Sequence, residues 1–268
     1  MNLLMVIAAA AMAAAAAAAY DTVLIHGIAS SKNELASFAD NLSQYGTIHN
    51  MEIGNGFMDS IFMNMNRQCE LLATNIDSLD IPDAKINLIG ISQGGLLARC
   101  YTEQYSHRAK PVHSLITIAT PHMGFYDPSY SILKLEYWKN PYLYNDYIAD
   151  NDFLVYMNND KDHEMAALYK RNLAAVDNFV MIWSAIDNVI MPRASSRFEY
   201  YDILSAKRDD ELVIDPLTES DIFLNDSIGL RQLYDTDRLH RIQVDCEHTK
   251  FKQPECYSGY IDSLSNYL

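Results

Sequence analysis

The chain has 268 residues, a formal net charge of −15 and four cysteines. Behind its alanine-rich leader, roughly 250 residues remain, enough for one large α/β domain with a substantial core. The acidity speaks against nucleic acid or an anionic membrane as a partner. Residues 1–19 carry no charged side chain and are almost pure alanine beyond Ile7. They are short and only weakly hydrophobic for a membrane span. Small residues before Tyr20 satisfy the cleavage rule of a secretory signal peptide, the α-amino group supplying its positive end. An uncleaved anchor and a polyalanine helix are the alternatives. The sequons at Asn41 and Asn225 are compatible with export, although two matches are near chance in a chain of this length.

The predicted elements alternate between strand and helix. Thr22-Val23-Leu24-Ile25 is a short apolar strand ending at His26-Gly27. Ser31-x-x-Glu34 has the form of a capping box, and the helix behind it places Leu35, Phe38 and Leu42 on one face before Gly46. Residues 47–53 read as a second strand. Ile61, Met65, Cys69, Leu72 and Ile76 recur at helical spacing. Lys85–Ile89 is a strand leading into Gly90-Ile91-Ser92-Gln93-Gly94, and Gly95–Arg99 begins a helix. Leu115–Ile118 is another buried strand. From about 122 to 177 the pattern breaks into a stretch rich in Tyr, Leu and Trp without clear strands. Phe179–Trp183 returns to the sheet and Leu239–Val244 is its last strand. Tyr257, Tyr260, Ile261, Leu264 and Leu268 fit a closing amphipathic helix. A mostly parallel, doubly wound sheet interrupted by a helical insertion is the outline of an α/β-hydrolase, with residues 20–268 as one such domain. Four cysteines allow three pairings. Cys69 and Cys100 sit on helices either side of the Gly90–Gly94 turn, and Cys246 and Cys256 bracket a loop, which favours those two bridges. Free buried thiols are the alternative if the chain is not exported.

The segment Gly90–Gly94 is a G-x-S-x-G pattern between a strand and a helix, the context in which a serine becomes a nucleophile. The chain must reverse within a few residues, and side chains two places either side of Ser92 would crowd the strand or the first helical turn. A serine hydroxyl needs a histidine base, and the base needs an acid that fixes its tautomer. In this fold the order is Ser, then Asp or Glu, then His, each just beyond a strand end. Asp187 directly follows the strand at Phe179. Its competitors, Asp209, Asp210 and Glu211, lie in a charged stretch expected to be a solvated loop. His248 lies four residues past Val244, where the base belongs. His240 is expected to be structural, and His163 lies in an acidic loop whose spacing matches no metal cage. The oxyanion of acyl transfer needs two N–H donors. The backbone of Gln93 and that of Ile28, after His26-Gly27, are the candidates.

Several segments resemble the palmitoyl-protein thioesterases beyond the shared elbow. They are Val23-Leu24-Ile25-His26-Gly27, Ser92-Gln93-Gly94-Gly95, Glu136-Tyr137-Trp138-Lys139-Asn140-Pro141 with Asn151-x-Phe153-Leu154, and Asp187-x-Val189-x-x-Pro192-x-x-Ser195-x-x-Phe198. Tyr169–Leu173 and Asp226–Leu230 are similar to further stretches of that family. The resemblance implies a lysosomal or secreted enzyme without a cofactor, acting on S-acylated proteins through Ser92, Asp187 and His248. It also implies that the insertion builds an acyl groove, to which Met123, Ile186 and Val189 are near enough in sequence to contribute; core packing is their other reading. Triad chemistry serves oxyesters equally well, so a lipase or carboxylesterase is the rival. A non-catalytic protein binding lipid or a protein partner is the rival of another class.

Overall fold

The computed structural model describes residues 20–268 except 83, 109, 130–134 and 210–211. The expected signal peptide lies outside the described residues. Six strands form one parallel sheet: β1 (Thr22–Ile25), β2 (Ile48–Met51), β3 (Ile86–Ile91), β4 (Val112–Ile118), β5 (Asn178–Ser184) and β8 (Leu239–Val244). Their spatial order is β2-β1-β3-β4-β5-β8. A two-stranded antiparallel ribbon, β6 (Tyr200–Tyr201) and β7 (Ile214–Asp215), stands apart from it.

The apolar runs have their cause in this arrangement. A parallel sheet covered on both sides buries both faces of its central strands, so those strands cannot alternate with polar residues. β1 and β3 are buried along their whole length. Alternate residues feed two cores. Val23, Ile25, Leu88, Leu115 and Phe179 pack on one face with Leu72, Leu96 and Leu97. Leu24, Ile89, Ile116, Val180 and Ile182 pack on the other with Leu35, Phe38, Tyr257 and Tyr260.

Several local expectations are corrected. Ser31 makes no side-chain cap; Lys32–Leu35 is a 3-10 turn that leads into the helix Ala36–Leu42. The Glu34 N–H that a cap would satisfy donates instead to the Ser31 carbonyl at 3.1 Å, and the Glu34 side chain pairs with Lys252. The second strand is shorter than expected, Ile48–Met51. The long apolar period through Ile61 and Ile76 is divided into helices Phe57–Phe62 and Met65–Asp77, with Met63 extended at φ −80° and ψ 135°. Asn64 caps the second of these, accepting hydrogen bonds from the Asn66 and Arg67 N–H groups. The closing helix is likewise two short pieces, Pro254–Tyr257 and Ile261–Leu264, separated at Ser258-Gly259. The charged stretch near 209 is not wholly a loop: Ile203–Asp209 is helical, while Asp210 and Glu211 lie outside the described residues.

Between β4 and β5 the chain leaves the sheet and makes helices Tyr144–Asp150, Leu154–Met157 and Ala166–Ala174. Lys139 anchors this excursion. Its buried ammonium lies 3.2 Å from Asp160 and 4.9 Å from the centre of the Tyr147 ring. Both disulfides form as their positions favour. Cys69–Cys100 staples the helix Met65–Asp77 to the helix Gln93–Gln104, and Cys246–Cys256 closes the loop behind β8. Among the described residues, no helix is long and apolar enough to cross a membrane.

Candidate active site

The site begins at the C-terminal end of β3, in the middle of the sheet. Ser92 has φ 56° and ψ −125°, a conformation L-residues rarely adopt. The neighbouring glycines make it possible. A Cβ on Gly90 would lie 2.3 Å from the Gly94 carbonyl oxygen, and one on Gly94 would lie 2.4 Å from the carbonyl oxygens of Ile25 and His26. Strand, turn and helix therefore pack backbone against backbone. The Ser92 N–H donates to the Ile118 carbonyl at 2.8 Å, tying the turn to β4.

His248 and Asp187 reach this serine from the ends of β8 and β5. The Ser92 hydroxyl lies 3.0 Å from His248 Nε2, and His248 Nδ1 lies 2.8 Å from Asp187 Oδ2. With Nδ1 donating to the carboxylate, Nε2 is the acceptor for the serine proton. Asp187 is 1% exposed. Its other oxygen, Oδ1, accepts the Val189 and Ile190 N–H groups at 2.8 and 2.9 Å, so the turn itself fixes the acid. Asn188 Oδ1 accepts the His248 N–H at 3.1 Å, and Ser184 Oγ accepts the Cys246 N–H at 3.1 Å. The loop carrying His248 is thus held to the end of β5 by two polar tethers.

A cavity of about 340 Å³ opens over Ser92. Ile28, Leu35, Phe125, Leu135, Tyr137 and Val189 give it apolar walls. Ile28 lines it beside Ser92, and Gln93 follows the serine at the start of the helix Gln93–Gln104. Among the described residues, neither backbone N–H donates to a protein acceptor. Of the three residues expected near an acyl groove, Val189 lines this cavity and the other two do not. Met123 is buried elsewhere, its sulfur 3.9 Å from Asn158 Nδ2, because the chain turns into the core after β4. Ile186, just before Asp187, is 48% exposed. His240 sits in β8 against the Tyr267 ring, and His163 Nε2 lies 2.7 Å from Asn159 Oδ1. Neither reaches the site. Among the described residues, no group of three His, Cys, Asp or Glu side chains could hold a metal ion.

Two polar clusters support the site, and sequence reasoning missed both. In the first, Arg99 and Glu103 are fully buried on the helix that follows Ser92, 3.3 Å apart. Arg99 Nη2 donates to Asn158 Oδ1 at 2.7 Å, which pins the insertion to that helix. Burial pushes the Glu103 carboxyl upward, opposed by Arg99, and holds His122 beside them well below its usual value. In the second, Glu136 receives the Met65 N–H at 2.5 Å and the Asn64 side-chain amide, clasping the insertion to the start of the helix Met65–Asp77. Burial, with Asp152 nearby, pushes its carboxyl up to about 7 against these donors. An unfolded glutamate titrates at 4.5, so between 4.5 and about 7 the folded chain holds the extra proton. Glu136 therefore contributes stability that is full below that window and lost as the pH rises through it. Thermal melts across the window are expected to show Tm falling with rising pH, with Glu136→Gln flattening the slope. An unchanged slope in the variant would remove Glu136 as its source.

An α/β-hydrolase fold with a serine, a histidine and a buried aspartate in hydrogen-bond sequence defines the class. Solved structures share this fold. A monoacylglycerol lipase from Paleococcus ferrophilus aligns with TM-score 0.54 and 13% identity over 92% of this chain and 93% of its own. The RedJ thioesterase of Streptomyces coelicolor aligns with TM-score 0.50 and 13% identity over 94% of this chain and 92% of its own. Residues 21–248 match the palmitoyl protein thioesterase family model, and the chain belongs to that family. It is 29% identical to palmitoyl-protein thioesterase 3 of Dictyostelium discoideum over 84% of each chain. It is 27% identical to the lysosomal thioesterase PPT2 homolog of Drosophila melanogaster over 81% of each.

Proposed function

We propose that this protein hydrolyses long-chain acyl thioesters, with S-acylated cysteine of proteins or peptides as the natural substrate class. The observation that carries the reading is Ser92, His248 and Asp187 joined at 3.0 and 2.8 Å on the floor of an apolar cavity. Family membership adds the thioester. In the proposed reaction, His248 Nε2 takes the proton as Ser92 Oγ attacks the thioester carbonyl carbon. The Ile28 and Gln93 N–H groups receive the negative oxygen of the tetrahedral intermediate. The intermediate collapses, the C–S bond breaks, and the proton on His248 passes to the departing sulfur. Water, deprotonated by His248, then attacks the acyl carbon; the bond from that carbon to Ser92 Oγ breaks, His248 returns the proton to Oγ, and the fatty acid leaves. Asp187 orients His248 in both halves and stabilises its imidazolium. Phe125, Leu135, Tyr137 and Val189 receive the acyl chain, the contacts being non-directional and tolerant of chain position. No cofactor takes part.

A secretory route to the lysosome or the exterior belongs to this reading. Two disulfides persist in an oxidising compartment, and the leader has the form of a signal peptide. The relative in Drosophila melanogaster is named as lysosomal.

The test compares palmitoyl thioester with the matched palmitoyl oxyester, using purified mature protein at mildly acidic and neutral pH. A thioester preference that disappears in Ser92→Ala is the expected result. Preference for the oxyester would make the protein a lipase or carboxylesterase. Turnover of neither by folded protein would leave a binding role.

A further inference from the structure

The side chain of Gln93 has no place in the chemistry above, which uses only its backbone. It nevertheless makes three hydrogen bonds. Gln93 Oε1 accepts the Tyr137 hydroxyl at 3.1 Å. Gln93 Nε2 donates to the Ser60 carbonyl at 2.8 Å and to Gln68 Oε1 at 3.1 Å. Gln68 Nε2 in turn donates to the Met63 carbonyl at 2.7 Å. Tyr137, Gln93 and Gln68 are all buried. Hydroxyl, amide, amide and carbonyl therefore run in one direction, and both N–H bonds of the Gln93 amide are used. The relay joins three separate parts: the insertion through Tyr137, the start of the helix behind Ser92, and the break between helices Phe57–Phe62 and Met65–Asp77.

Two properties of Tyr137 give the relay a purpose. Its ring is a wall of the cavity over Ser92, and its hydroxyl holds the side chain of the residue that directly follows the serine. We propose that Tyr137 and the Gln93 side chain are a positioning pair, which fixes the Gln93 N–H where the oxyanion forms and couples that donor to the acyl wall. The proposal rests on the hydrolase reading above. A buried amide with every donor and acceptor used has one orientation. Its backbone N–H, a few bonds away, is then set before substrate arrives, which is the condition under which such a donor lowers a barrier. Leucine at 93 would leave the Tyr137 hydroxyl and the Ser60 carbonyl without these partners. Glutamate would set a carboxylate against two acceptor oxygens, a conflict that protonation relieves.

The test measures kcat and KM for Tyr137→Phe, Gln93→Leu and Gln93→Glu on whichever acyl ester the wild type turns over. Rates are divided by the fraction of protein labelled by a fluorophosphonate. Expected is a fall in kcat of about 10- to 100-fold with little change in KM. The kcat of Gln93→Glu relative to wild type should recover as the pH is lowered. Tyr137→Phe keeps the ring and guards against loss of folding. If all three variants lose only thermal stability, with kcat per labelled site unchanged, the relay is a packing feature and the proposal fails. A rise in KM at constant kcat would also overturn it, since that assigns the pair to substrate binding. A wild type that prefers oxyesters overturns the thioester reading and leaves this test intact. A folded wild type that neither labels nor turns over overturns both.

Discussion

Ser92→Ala is expected to lower thioester turnover by about 10⁶-fold while leaving the melting temperature unchanged. The reasoning is local. Among the described residues the side-chain oxygen has one partner, His248 Nε2, and the backbone bond to Ile118 is kept by alanine. Alanine carries the same Cβ as serine into φ 56°, so the turn meets no new obstacle. His248→Ala should cost a similar factor, and the double variant little more, because nucleophile and base act as one unit. Labelling by a fluorophosphonate should vanish in Ser92→Ala. Turnover within tenfold of wild type in either single variant would place the chemistry elsewhere.

Asp187→Asn tests a different link and is expected to cost about 10⁴-fold in kcat. An asparagine fits the same space, and its carbonyl oxygen can still accept the Val189 and Ile190 N–H groups now held by Oδ1. What changes is the atom facing His248. An NH₂ in place of Oδ2 donates to Nδ1, moves the imidazole proton to Nε2, and turns a donor toward the serine. The protein should remain folded and label slowly with the fluorophosphonate. Activity near wild type would transfer the orienting role to another carboxylate.

The sequence was most informative where structure is local. Gly90 and Gly94 frame a reversal of five residues, and the backbone contacts at 2.3 and 2.4 Å that exclude a side chain lie within or beside it. Asp187 and His248 could be placed because each follows a strand, an apolar one before Asp187 and the alternating Leu239–Val244 before His248, and the strand ends of a parallel sheet gather along one edge. The helix breaks at Met63 and at Ser258-Gly259 were not legible, since the apolar spacing runs through both without a change of period. Met123 and Ile186 show the converse limit. They are close to the site along the chain, yet a turn of one residue points a side chain into the core or into solvent. Tyr137 and Gln68 lie 44 and 25 residues from Gln93, and no short-range pattern announces such a meeting. What could have hinted at it is their type: a tyrosine and a glutamine on otherwise buried stretches must find hydrogen-bond partners.

The order of strands has a consequence for when activity can first exist. Ser92 and His248 are separated by 156 residues, and β8, the strand that delivers the histidine, is the outermost strand beyond β5. A ribosome has therefore made the nucleophile, the acid and most of the sheet before the base has been synthesised. During that interval the chain has the serine but lacks His248, the base within hydrogen-bond reach of its hydroxyl. The complete Ser92–His248–Asp187 array is therefore assembled in one step, with the docking of the final strand of the sheet.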